Sequence, residues 1–232
     1  MPFGEPHPQE GNQTVHLSPD LARSNPDIFK RVLLQRIGQN PRVAPILAGL
    51  ESLGMISQDS LLLRDSWVSE TRRNTPGITL GFQEITPDMQ DAIFYTGSPA
   101  CPRRYEQQLV YRFTHELTHK YIDLLLSAEH PFMMQLLEYS ANVRVDSQVG
   151  LTPFGHIDNQ EHPLKRAEED VTELLNMYMY DPQYFADYLN MLAHPSAQSL
   201  REQYGLAGLT PDSSYQIARL VESVITSPYS SA

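Results

Sequence analysis

The sequence predicts a mostly helical α+β protein with a small sheet placed early in the chain. Two observations carry this expectation. A helical pattern runs without a break from about Arg103 to Ala128, with Leu109, Phe113, Leu117, Tyr121 and Leu124 on one stripe. Upstream of it, Ile78, Leu80 and Phe82 alternate with Thr79, Gly81 and Gln83, the period of a half-buried strand.

The remaining elements follow in chain order. Residues 1–24 are polar and rich in Pro and Gly, which predicts a flexible or loosely docked arm. Asn25-Pro26-Asp27 then opens a helix, with Pro in the first turn and an acid beside it. Ile28, Val32, Leu33 and Ile37 continue it at helical spacing until Gly38. A second helix is expected from Pro41 to Leu53, stopped by Gly54. The stretch 55–75 fits a strand or a short helix around Leu61-Leu62-Leu63, and residues 25–75 together make a helical N-terminal segment. Residues 76–232 form the second unit. In it, Ala92-Ile93-Phe94-Tyr95-Thr96 reads as another short strand before Gly97-Ser98-Pro99. After His130-Pro131 a helix should reach about Gln148, and Gly150, Pro153, Gly155 and Pro163 predict a loop over 149–163. Helices follow at 164–180, 182–193 and 213–226, broken at Asp181-Pro182 and His194-Pro195.

Composition narrows the class. A chain of 232 residues is long enough for one or two domains with a sizeable core. With 17 Lys+Arg against 28 Asp+Glu, the net charge of -11 argues against nucleic acid or an anionic membrane as the main partner. One Cys makes neither an internal disulfide nor a Cys-rich zinc site. The first residues lack a basic start followed by an apolar run, and no apolar stretch is long enough for a bilayer. The cytoplasm is the default expectation, with non-classical secretion left open beside it.

Chemistry enters with His115-Glu116-Leu117-Thr118-His119, an H-E-x-x-H pattern inside the long helix. A chain of this composition contains that pattern by chance only about 0.02 times. Two His four residues apart rise about 6 Å along the axis and point the same way, so both rings reach one metal ion. Glu116 is rotated off that stripe, close enough to take a proton from a water on the metal without being a ligand. Asp123 stands four residues beyond His119 on the same face.

The segment from His115 to Asp123 resembles the active-site helix of the thermolysin-like gluzincins, a branch of the zincin metallopeptidases. The metzincin branch is excluded, because Ile122 and Leu125 stand where its Gly and third His belong. The resemblance implies a zincin-like catalytic domain over 76–232, Zn2+ as cofactor, and a peptide or protein as substrate. It also implies an edge strand holding the substrate extended, for which Ile78–Gln83 and Ala92–Thr96 are the candidates. Asp123 would then support the metal site from behind.

A catalytic zinc needs a third protein ligand, and two carboxylates compete. Glu138 follows His119 after 18 intervening residues, similar to aminopeptidase-type gluzincins, but Asn142 stands where an acid is expected. Glu169, with Glu173 one turn on, resembles the Glu helix of zincins similar to anthrax lethal factor. There the first Glu binds zinc and the second supports it from behind. Thr172 departs from the usual Ala of that motif. The motif context favours Glu169, with Glu138 the alternative. Glu173 on the same helix face is placed to hold a His ring N–H.

Weaker candidates complete the set. His162, seven residues before Glu169, is a candidate oxyanion donor, because lethal-factor-like enzymes give that role to a Tyr in the loop before the Glu helix. His156 is a lesser version of the same idea. A Cys101 thiolate capping the metal would keep an enzyme latent, though a lone Cys is ordinarily a small buried hydrophobe. Tyr139, Tyr178 and Tyr180 read as packing residues with a polar tip, and the Met pairs at 133–134 and 177/179 as core filler. The expected function is a zinc-dependent peptidase in which Glu116 is the general base. The rival class is a non-catalytic zinc-binding or helical interaction protein of similar shape.

Overall fold

The computed structural model describes residues 15–72, 75–147, 149–153 and 163–227. Proline writes most of its helix starts. Pro19, Pro26, Pro87, Pro131, Pro163, Pro182 and Pro211 each open a helix, where the missing N–H is no loss and the fixed φ is already helical. Side-chain caps sharpen several of these starts: Asn25 accepts from the Ile28 N–H at 3.3 Å and Asp181 from Gln183 at 2.8 Å. In chain order the elements are α1 (Pro19–Ser24), α2 (Pro26–Gly38), α3 (Ala44–Ser52), β1 (Leu61–Arg64), β2 (Ile78–Gly81) and α4 (Pro87–Ile93). Then come α5 (Tyr105–Ser127), α6 (Pro131–Ser147), α7 (Pro163–Tyr180), α8 (Pro182–Ala193), α9 (Gln198–Tyr204) and α10 (Pro211–Thr226). No helix among the described residues is long and apolar enough to cross a membrane.

The long helix α5 runs through the middle. It packs on α2, α3, α6, α7 and β2, burying Leu109, Phe113, Leu117, Ile122 and Leu125 completely. On its other side α7 is held by α6, α8 and α10 as well, so these two helices are the most enclosed in the fold. The mostly helical expectation with an early small sheet therefore agrees with the structure.

The sheet departs from the expected detail. β1 and β2 pair in parallel, Leu61 opposite Ile78, so the ambiguous stretch 55–75 supplies a strand. The division placed between residues 75 and 76 thus falls between two strands of one sheet. Ala92–Thr96 is not a strand. Pro87 and Asp88 start α4, which runs to Ile93, and a short apolar run of this kind does not by itself distinguish helix from strand. Past the helix end, the Tyr95 N–H donates to the Tyr184 hydroxyl at 2.8 Å rather than to a neighbouring strand.

The connection between the strands folds back on β2. Glu70 and Thr79 exchange both backbone hydrogen bonds, at 2.8 and 2.9 Å, in an antiparallel bridge. Gly81 permits that approach, because a Cβ there would lie 2.5 Å from the Val68 carbonyl oxygen and 2.7 Å from that of Ser66. β2 is consequently covered on both sides, by β1 and by the 66–71 segment.

The N-terminal arm is also only partly as expected. Residues 1–14 lie outside the described residues, but from Val15 onward the chain is docked. Leu17 and Ala22 are each 4% exposed, and the Leu17 N–H donates to Glu106 Oε1 at 2.9 Å. Leu17 and Ala22, with Leu21 packed against the same core, seat an otherwise polar stretch.

Asp170 fixes how α7 sits. Its buried carboxylate accepts from the Leu151 and Thr152 N–H groups at 3.0 and 2.9 Å, the Thr152 hydroxyl at 2.8 Å and the Ser140 hydroxyl at 3.2 Å. It joins α6 and the 149–153 connection to α7. Asp170→Ala leaves several buried donors without an acceptor and should destabilise the fold by about 3–5 kcal/mol, read as a shifted urea midpoint at unchanged slope.

Candidate metal centre

His115 and His119 project from one face of α5, and Glu169 reaches them from α7. The ligand-capable atoms of all three lie within 4.8 Å of one another. The two Nε2 atoms are 3.2 Å apart, and Glu169 Oε2 is 3.5 Å from His119 Nε2 and 3.8 Å from His115 Nε2. Tetrahedral bonds of about 2.1 Å place neighbouring ligand atoms about 3.4 Å apart, so this triangle has the edge lengths of a metal-binding face. The group can hold a metal ion. Of the two rival carboxylates, Glu169 is in it; Glu138 is exposed on α6 and outside it.

The rings are aimed from behind. Glu173, fully buried one turn beyond Glu169, accepts from His115 Nδ1 at 2.8 Å. It also accepts from the Tyr111 hydroxyl, and from Asn176 Nδ2 at 3.4 Å. Holding the hydrogen on Nδ1 leaves the Nε2 lone pair facing the cluster. For His119 the partner of Nδ1 is the Thr172 hydroxyl at 3.3 Å. The residue that departed from the motif by replacing Ala thus occupies a supporting position. Asp123 lies one turn past His119 on α5, beside Lys120, whose ammonium burial pushes below its ordinary value against the raising charges of Asp123 and Glu116.

A cavity of about 440 Å³ opens over the cluster. Glu116, 7% exposed, lines it together with His115, His119 and Glu169. The facing wall is the Trp67–Thr71 segment, with Ile85, Ile93 and Phe94 deeper in. That wall is tied to α5 directly: the Thr71 hydroxyl donates to the Glu116 carbonyl at 3.2 Å, and Arg112 Nη1 to the Trp67 carbonyl at 2.7 Å. Neither candidate edge strand fills this place. β2 is covered by the 66–71 segment, and Ala92–Thr96 contributes Ile93 and Phe94 as apolar wall.

His156 and His162 lie outside the described residues. Cys101 is buried and absent from the cavity wall, close enough to Tyr180 and Tyr184 to influence both hydroxyls. Tyr180 packs edge-on against Tyr111 with ring centres 5.1 Å apart, and Tyr178 against Phe185 at 5.6 Å. Sequence reasoning missed Tyr111, Arg112, Glu168 and the Trp67–Thr71 wall. The first two were accessible: they precede His115 by four and three residues and share its helix face.

The electrostatics favour a cation at this point. Burial disfavours a charged His115, but the hydrogen bond and charge of Glu173, with Glu116 and Glu169 nearby, outweigh it and raise the ring to about 9. Without a metal, this shift stabilises the fold fully below the ordinary His value of about 6.5, and the contribution is lost as pH rises through about 9. No protein-family model, no curated protein and no solved structure matches the chain.

Two outcomes are expected. Metal content after a mild chelator wash should fall with Glu169→Ala and persist with Glu138→Ala, by elemental analysis. A metal ion needs the neutral ring, so loading at pH 7 should expel about one proton from His115 and affinity should climb until pH passes about 9. Calorimetry in buffers of different ionisation enthalpy reads that proton count.

Proposed function

We propose that the chain is a zinc-dependent peptidase of the gluzincin kind. The observation that carries this reading is the His115/His119/Glu169 triangle, whose 3.2, 3.5 and 3.8 Å edges suit tetrahedral coordination, with Glu116 beside it in one cavity. Two imidazoles and a carboxylate, closed on the protein side and open to a cavity, are the donor set of a catalytic rather than a structural zinc. Zinc bound there supplies Lewis acidity, polarising a substrate carbonyl and making water a stronger acid.

The protein's own residues do the rest. The Glu116 carboxylate takes a proton from the attacking water and passes it to the nitrogen of the departing amine. Glu173 keeps the His115 ring aimed throughout, and Tyr111 and Asn176 keep Glu173 in place. The Trp67–Thr71 wall suits an extended peptide. Glu70 spends both backbone groups on Thr79, so those of Ser69 and Thr71 point the other way, and no bond to them occurs among the described residues. A peptide strand can add there by main-chain hydrogen bonds. Trp67 and Val68, 41% and 44% exposed, supply apolar contact at the rim.

Glu116→Gln is the decisive variant. It should keep about one zinc per chain and lose peptide hydrolysis by about 10²-fold or more, followed by mass spectrometry of a peptide mixture. Zinc-loaded wild type that cuts no peptide would leave a metal-binding protein without this activity.

A further inference from the structure

Arg112 stands on α5 one turn before His115, in the wall of the same cavity, and is 8% exposed. Three of the five guanidinium N–H groups donate to backbone carbonyls: Nε to Gln108 at 3.4 Å, Nη1 to Trp67 at 2.7 Å and Nη2 to Gln83 at 2.9 Å. All three acceptors are neutral. No ion pair joins Arg112 to a carboxylate among the described residues, although four acids line the same cavity. Glu70 is paired with Arg64 at 3.1 Å, and Glu169 faces the two His rings. Burial lowers the guanidinium to about 10, which still leaves it charged at neutral pH.

A buried cation without a counter-charge is costly, and the cost is relieved by whatever anion enters beside it. One N–H on each Nη remains after the carbonyl bonds, and a guanidinium N–H forms a charge-assisted hydrogen bond with a carboxylate. A residue three positions from a metal-binding His on one helix lies about 5–6 Å from it between Cβ atoms, within reach of the residues flanking a bond held at the metal.

We infer that Arg112 selects substrates carrying a carboxylate close to the bond that is cut, supplied by an Asp or Glu side chain or by a free C-terminus. This rests on the peptidase reading for its setting, while carboxylate binding can be read separately. The inference runs against the net charge of -11, which by itself would suggest basic substrates.

The test uses equal-length peptides with Glu, Gln, Lys or Leu scanned through each position, each made with a free and an amidated C-terminus. Zinc-loaded full-length protein is assayed for cleavage, and zinc-loaded Glu116→Gln for binding of uncut peptide by fluorescence anisotropy. A Glu-over-Gln preference of about ten-fold or more is expected at one position, or an equal preference for the free over the amidated end. The first outcome assigns a side-chain carboxylate and the second a terminal one. Arg112→Met should flatten the preference at unchanged zinc content, and Arg112→Lys should retain part of it. If Arg112→Met fails to fold, the wild-type Glu/Gln comparison still decides. Arg112-dependent carboxylate binding without any cleavage supports the inference and removes the peptidase reading. Equal treatment of Glu and Gln in both assays overturns it, as do absence of binding and a preference for Lys.

Discussion

The contact on which the site depends is the one between Glu173 and His115. A carboxylate with no solvent exposure, set between two helices of the core, is costly unless every lone pair is used. Here the His115 ring, the Tyr111 hydroxyl and the Asn176 amide meet it. Two of these donors come from α5 and one from α7, so satisfying the buried charge and docking the helices are one event. The same contact turns Nε2 of His115 toward Glu169 and His119. Stability and ligand geometry therefore have a common origin.

Around this contact the fold works as a frame. Asp170 ties α7 to α6 and to the 149–153 connection, while Lys120 reaches from α5 to the carbonyls of Arg72 and Thr75. Thr71 and Arg112 then hold the opposite wall at a set distance from the His115/His119/Glu169 cluster. Most of these ties are side chain to backbone. They fix where the wall's main chain lies relative to α5.

What the sequence discloses and what it conceals have physical reasons. Helices α5, α7 and α8 are legible because apolar spacing marks each of them, joined by a leading proline in α7 and α8 and by the Asp181 cap in α8. His115 and His119 are legible because a helix fixes their relation within four residues. Glu169 is brought to the two imidazoles by the packing of α7 on α5, a contact between segments fifty residues apart. The local motif around Glu169 favours it over Glu138 without deciding between them. The Trp67–Thr71 wall left no signal at all: it meets β2 through a single bridge, so neither alternation nor length marks it as sheet. Ile93 and Phe94 show the opposite failure, since their apolar run suits a strand and is instead a helix end lining the cavity.

Three acids in a row, Glu168, Glu169 and Asp170, show how finely α7 is set. Each step along a helix turns about 100°, and the three carboxylates serve three different neighbourhoods: the cavity wall, the pair of imidazoles and the buried 149–153 connection. Glu173 must then return, one turn later, to the face of Glu169. Substitutions along this helix can be judged singly, but adding or deleting one residue would rotate every carboxylate beyond it into a neighbour's place. A change of length is therefore costlier to this helix than any single exchange of letters.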